Sequence, residues 1–323
     1  MKNKRIRYMR NLVRYIMMLT ILSATTVVVR AQDQAVYNHY IANQGVLNPA
    51  YNGSRDVISG ILLFRSQWTG FKGAPYTGAF NMHGPITSIK NLRNAGVGVV
   101  LTEDKIGFTN QLEFFVAGSY KLKLNNANTL SLGLQLGFKN IIYDGNKAVL
   151  VDYGDPVFDG RISKFGFNFG FGGYLYTSKY FAGLSIPRFF VNKYNSDKQE
   201  IKNTVSMKDC HIYAYGGYVF DVDDIKFKPT ALMRIVPGAP LTFDVSCEVM
   251  PVKNLWVGVS YRTVTDVVFL AEYQLTKRWG VRYSFDYPIN DIRKYTVAGS
   301  HEIGVQFDFQ TKRAPGMRSI RYF

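Results

Sequence analysis

Four histidines, two cysteines and a set of strand-borne charges are the residues of this chain that could do chemistry. A hydrolytic site needs a nucleophile, a base and an orienting carboxylate within hydrogen-bond reach of one another. His39, His83, His211 and His301 each stand in a lead-in or a strand with no nucleophile motif beside them, and the reading is of satisfied wall or loop histidines. With Cys210 and Cys247 they fall at unrelated spacings, which makes no metal-ligand set. Asp152, Asp155 and Asp159-Gly160 could cradle calcium, but the spacing does not follow the EF-hand ligand ladder, and a solvated acidic loop accounts for them. The expectation is a protein that is not an enzyme and takes no cofactor.

A larger constellation lies on alternating positions near the C-terminal end: Arg234, Asp244, Glu248, Arg262, Glu272, Arg282, Asp286 and Glu302, with Arg65 and Asp308 of the same kind. Such a set either lines a path for a charged solute or laces a wall with ion pairs. A selective pore favours a ring of one sign. Mixed signs at adjacent heights favour cross-strand pairs, so the reading is a packed, non-conducting interior.

These charges need elements that put them on one face, and residues 254–288 supply the pattern. Leu255, Val257, Val259 and Tyr261 alternate with Trp256, Gly258, Ser260 and Arg262. Val267, Phe269, Ala271, Tyr273 and Leu275 alternate with Asp266, Val268, Leu270, Glu272 and Gln274, and Trp279, Val281, Tyr283, Phe285 and Tyr287 with Gly280, Arg282, Ser284 and Asp286. Successive side chains of a strand point to opposite faces, so this is a meander with one apolar, aromatic face and one charged face.

The same period recurs along the chain and predicts fourteen strands with no amphipathic helix. The connections are asymmetric: Asn125–Ala127, Ser178-Lys179, Asp221–Asp224, Pro251–Lys253 and Lys277-Arg278 are short, whereas Asp144–Ser163, Phe189–Ser206 and Ile289–Gly299 are long. Outer-membrane barrels combine an even strand number with short periplasmic turns and longer outer loops. Pro85–Arg93 and Val264-Thr265 depart from that rule in opposite directions. Phe, Trp and Tyr make up 15% of the chain and crowd the strand ends, as interfacial girdles do. A mean hydropathy of −0.08 fits a wall whose lipid-facing and lumen-facing positions average out. The alternative of a soluble sandwich does not need apolar faces this wide, and a bilayer forbids open sheet edges. The expected fold is an all-β transmembrane antiparallel barrel of about fourteen strands in the cell outer membrane, in contact with its lipid.

The first 31 residues carry Lys2, Lys4, Arg5, Arg7, Arg10 and Arg14, then an apolar run from Tyr15 to Val29, then Val29-Arg30-Ala31. This is the layout of a secretory signal peptide, and the run is short of the ~20 residues of a spanning helix. Removing its seven cations takes the formal +16 to +9, scattered through strands and turns. A nucleic-acid partner needs a concentrated basic stripe, so no nucleic acid is expected. Cys210 and Cys247 sit two strands apart, where a barrel wall does not bring Cα atoms within ~7 Å, and are read as buried free thiols, with a disulfide as the alternative. Residues 32–55 form a turn-rich, plug-like lead-in on the periplasmic side, 56–310 the barrel, and 311–323 a basic periplasmic tail.

Asn48-Pro49-Ala50-Tyr51-Asn52-Gly53-Ser54, Arg65-Ser66-Gln67-Trp68, Gly73-Ala74-Pro75 and His83-Gly84-Pro85-Ile86 resemble the PorP/SprF outer-membrane proteins, and Arg318-Ser319-Ile320-Arg321-Tyr322-Phe323 is similar to that family's terminal motif. Gln34 and Ile320 stand where the family often has proline. The resemblance implies a non-enzymatic barrel of the type IX secretion system of Bacteroidota, related to gliding-motility proteins. It would join the outer membrane to a periplasmic ring of lipoprotein and soluble subunits and a peptidoglycan-binding partner, or serve export of surface proteins. Asn48, Pro49, Tyr51, Arg318, Arg321, Tyr322 and Phe323 are the expected partner-binding residues. The alternative is a passive porin or small-solute channel.

Overall fold

The computed structural model describes residues 35–55, 57–86, 92, 94–147, 160–195, 200–205, 210–237, 240–309 and 323. The signal peptide, the acidic loop around Asp152–Asp159, and Arg318, Arg321 and Tyr322 lie outside them.

The wall begins with β1 (Ile58–Ser66), β2 (Tyr76–Pro85), β3 (Ala95–Ile106), β4 (Thr109–Lys123), β5 (Thr129–Asp144), β6 (Arg161–Tyr176) and β7 (Tyr180–Ile186). A two-stranded hairpin, β8 (Phe190–Asn195) and β9 (Glu200–Val205), follows as a separate sheet. It occupies a stretch expected to be an irregular loop. The wall resumes with β10 (Ile212–Tyr218) and β11 (Phe220–Val222), then β12 (Ile225–Ile235), β13 (Thr242–Val252), β14 (Leu255–Arg262), β15 (Asp266–Gln274), β16 (Trp279–Pro288) and β17 (Ser300–Phe309). Both β10 and β11 pair with β12 in one continuous register, so they are one strand interrupted at Val219. The wall therefore has fourteen positions.

Every neighbouring pair is antiparallel, and β1 pairs with β17 from Ile58↔Phe309 to Ser66↔His301. The sheet thus closes on itself and leaves no free edge, which is the condition a bilayer imposes on a sheet. No helix among the described residues is long and apolar enough to cross a membrane; the strands do the crossing.

The pleat sorts the residues as the alternation predicts. Leu134, Leu136, Phe165 and Phe167 are exposed on the outside, while Arg65, Lys228, Ser284, Asp286 and Glu302 are fully buried inside. This is inverted relative to a water-soluble fold, in which the apolar face would be the covered one. The exterior is the lipid-facing band of a membrane barrel.

One rim carries the short connections 124–128, 177–179, 223–224, 253–254 and 275–278, together with the wall ends Ile58 and Phe309. The opposite rim carries the strand ends that flank the longer connections: Asp144 and Arg161, Ile186 and Ile212, and Pro288 and Ser300. It also holds a tight hairpin: β3 and β4 pair up to Ile106↔Thr109, and Gly107 turns at φ +56°. A residue with a side chain is disfavoured there, and glycine is not.

Residues 35–55 do not lie beneath the barrel. They lie within it, with a single helical turn α1 (Gln44–Leu47) and a 3₁₀ turn at Pro49–Tyr51. The lead-in, read from the sequence as plug-like and on the periplasmic side, has its placement in the bore instead. The cause of that placement is the count of polar and small inner-face residues, which leave a bore that fourteen strands cannot fill with their own side chains.

Candidate functional site

The plug is held by its backbone as much as by its side chains. Asn48 opens the 3₁₀ turn, its Oδ1 accepting from Ala50 N at 2.9 Å, while its Nδ2 donates to the Gly173 carbonyl at 2.9 Å. Asn52 Nδ2 closes the same turn on the Pro49 carbonyl at 3.0 Å. From the wall, Ser185 Oγ donates to Leu47 O at 2.7 Å and Lys121 Nζ to Gly53 O at 3.0 Å. Gly53 N donates to His83 Nδ1 at 3.1 Å, and the Tyr51 ring packs edge-on to His83 and Tyr174, with centroids 5.0 and 5.5 Å away.

This approach depends on bare inner-face positions. A Cβ added at Gly133 would overlap the Ala50 backbone, and one at Gly172 would overlap Asn48 Oδ1; Gly96 and Gly98 meet Asn52 in the same way. Glycine within a strand commonly marks close approach of another backbone, and here that backbone is the plug.

Above the seat, the plug is tied into the buried charges. Asn38 N and His39 N donate to the two oxygens of Glu302, each at 2.9 Å, and His39 Nδ1 stands 2.9 Å from Glu302 Oε1. The Asn38 amide bonds Ser284 and Asp286 and accepts from Arg262 Nη2 at 2.9 Å. The network runs from Arg234 to Asp244 (2.6 Å), from Asp244 to Arg262 (3.1 Å), from Arg262 to Asp286 (3.5 Å), and from Asp286 to Arg65 (2.6 Å) with Glu302 at 3.8 Å. Lys228 pairs with Glu248 at 3.1 Å and Arg282 with Glu272 at 3.5 Å. Arg65 and Glu302, Lys228 and Glu248, Asp244 and Arg262, and Glu272 and Arg282 are direct cross-strand partners in the ladders. The structure therefore brings Arg234, Asp244, Arg262, Asp286 and Glu302 into one network and sets Glu248 and Glu272–Arg282 in two further pairs.

Toward the long-loop rim the bore is closed by an inward-folded segment after β7. Arg188 Nε donates to Glu113 Oε2 at 2.7 Å, with Lys139 on the other oxygen at 3.7 Å, and Gln135 Nε2 donates to Pro187 O at 2.7 Å. Tyr40 of the plug reaches Thr230 Oγ1 at 3.1 Å, and burial pushes its phenol up to about 12, so it stays protonated.

At the short-turn rim the filling is incomplete. A cavity of about 570 Å³ is lined by plug residues Ile41, Ala42 and Tyr51, by Trp256 and Met250, and by Phe323. The Phe323 ring is buried and lies 4.6 Å from that of Phe181.

The expected partner-binding residues thus divide. Asn48, Pro49 and Tyr51 are buried in the seat, where their turn-forming chemistry serves the plug, and of the three Tyr51 also borders the mouth cavity. Phe323 is inside the mouth rather than on a tail surface. Arg318, Arg321 and Tyr322 lie outside the described residues. Asn38 and His39 belong to the network, Lys228 pairs with Glu248 and Arg188 with Glu113, and none of the four was expected in these places; the inner-face glycines were the one signal of an inserted backbone. Cys210 is buried, with Sγ 3.3 Å from Phe189 O, and Cys247 is free but exposed on the lipid side, not buried. It shares the outward-pointing apolar face of its strand with Phe243 and Val245. The described residues contain no group of His, Cys, Asp and Glu that could hold a metal ion.

No curated protein matches the sequence. Among solved structures, the chain is similar to the outer-membrane protein Omp33 of Acinetobacter baumannii, at 10% identity over 79% of this chain and 99% of that one, with a TM-score of 0.45. A Pseudomonas aeruginosa FadL homologue gives 10% identity over 82% and 94% of the two chains and a TM-score of 0.46. The KdgM porin gives 12% identity over 78% and 99%, with a TM-score of 0.37. A model of the family described as type IX secretion system membrane protein PorP/SprF matches residues 29–307, nearly the whole of the closed wall and all of its plug. With its closed lipid-facing barrel, this chain is an outer-membrane protein and belongs to the PorP/SprF family of type IX secretion system membrane proteins.

Proposed function

We propose that this protein is a non-catalytic outer-membrane anchor of the type IX secretion machinery that works through its periplasmic mouth and not through its bore. The observation that carries this reading is the filled lumen. Residues 35–55 occupy it, and wall and plug satisfy one another's charges. A conducting path needs water and exposed ions along its length. Under this reading the rim with short turns faces the periplasm. There it docks the periplasmic ring lipoprotein, the soluble ring subunits and a peptidoglycan-binding protein, or assists the export of surface proteins. The experiment is a crosslinked pull-down from native membranes. Stoichiometric recovery of secretion-system subunits supports docking, and recovery of the barrel with none of them contradicts it.

A further inference from the structure

The mouth cavity has features that sealing the barrel does not require. Its wall carries Lys253 and Lys277, which make no ion pair among the described residues, and the half-buried Arg282, whose Nη1 has no protein acceptor while its Nε faces Glu272 at 3.5 Å. Arg282 stays within 3.5 Å of Glu272, and Arg55 is matched by Asp308 at 2.9 Å, so the uncompensated charge at this mouth is positive. Beside these donors the lining is aromatic: Trp256 under Lys228, whose Nζ is 4.7 Å from the ring centroid, and Phe323, which rests against Phe181. A guanidinium N–H held from water without an acceptor is costly until an acceptor arrives. A volume of about 570 Å³ falls within the range of ligand pockets.

We propose that this cavity is a recognition site for an acidic peptide segment carrying an aromatic side chain. The segment's carboxylates would meet Arg282, Lys253 and Lys277, and its aromatic ring would take the seat on Phe181 that Phe323 fills in the same chain. Phe323 shows what that seat accepts, and it makes the chain its own competitor. The occupant is a peptide because the cavity pairs an aromatic seat with cations, whereas a free inorganic anion would use only the cations. This inference rests on the docking reading above and deepens it by naming the chemistry of the partner.

The test uses the full chain in detergent and, as probe, a fluorescently labelled peptide alternating aspartate and phenylalanine. Binding should weaken by at least about tenfold in the Lys253→Glu, Lys277→Glu double variant, as loss of one or two charge-assisted contacts gives. It should also weaken at about 1 M salt, where the screening length is about 3 Å. Both lysines are exposed, so the variant keeps the wild-type heat-modifiable mobility. Phe323→Ala should tighten binding by freeing the seat. Equal binding by the charge-reversed protein, unchanged binding by Phe323→Ala, or full displacement of the probe by inorganic phosphate alone would overturn the proposal. If the wild type ignores the peptide yet still recovers its secretion partners, this inference fails and the docking reading stands. If it binds the peptide but recovers no partner, the docking reading fails alone.

Discussion

His39 Nδ1 stands 2.9 Å from Glu302 Oε1, joining a residue of the plug to a residue of the closing strand 263 positions away in sequence. The same carboxylate takes the backbone N–H groups of Asn38 and His39 and faces Arg65 across the β1–β17 seam. One side chain thus fastens the plug and the closing pair of strands together. Removing one partner from a buried pair leaves the other charge uncompensated, at a cost of about 3–5 kcal/mol. Glu302→Gln is therefore expected to lower the thermal unfolding midpoint in detergent markedly. A change at the exposed Lys123 should leave it in place.

The seat under the 3₁₀ turn gives a second expectation. Gly172 lies where any Cβ meets Asn48 Oδ1, and Gly133 where it meets the Ala50 backbone. Gly172→Val should cost about 1–3 kcal/mol, the usual range for overpacking. The wall can persist while the plug is displaced, so limited proteolysis should nick residues 35–55 in the variant and spare them in the wild type.

The two cysteines should differ in reactivity. Cys247 lies on the lipid-facing surface, and Cys210 is enclosed near Phe189. In liposomes, a membrane-soluble maleimide is expected to label Cys247, a charged impermeant one to label neither, and Cys247→Ser to abolish labelling. Mass spectrometry of the labelled peptides reads the outcome.

The tail offers a further test of docking. Deleting residues 311–323 is expected to leave a heat-modifiable barrel, because the wall closes at Phe309. The deletion should also remove secretion-system subunits from the pull-down. Retained partners and retained secretion would contradict a docking role for the tail.

The wall was open to reading from sequence because its two faces differ in chemistry at a strict period of two. Leu255 to Tyr287 shows this in three successive strands, and all three form. The cross-strand pairs Arg282–Glu272 and Arg262–Asp244 follow from the same period, since a meander brings those positions level. The plug was readable only as a turn-rich, plug-like lead-in, without its seat in the bore. Its residues form short turns with no periodicity, and Asn48-Pro49 and Asn52-Gly53 signal a turn without saying where the turn sits. Gly133 and Gly172 held the information, but a strand glycine says only that something comes close, not what. The β8–β9 hairpin escaped for a similar reason: Phe190–Asn195 is one short strand whose partner has no clear alternation.

The central claim is that this barrel is sealed and acts at its mouth. Its most direct test is the current through purified protein in a planar bilayer, recorded alongside a variant lacking residues 35–53. Fourteen strands enclose a bore wide enough for water once it is emptied. The account predicts a silent wild type and steady conductance from the variant. Steady ohmic current from the wild type, equal to that of the variant, would contradict it.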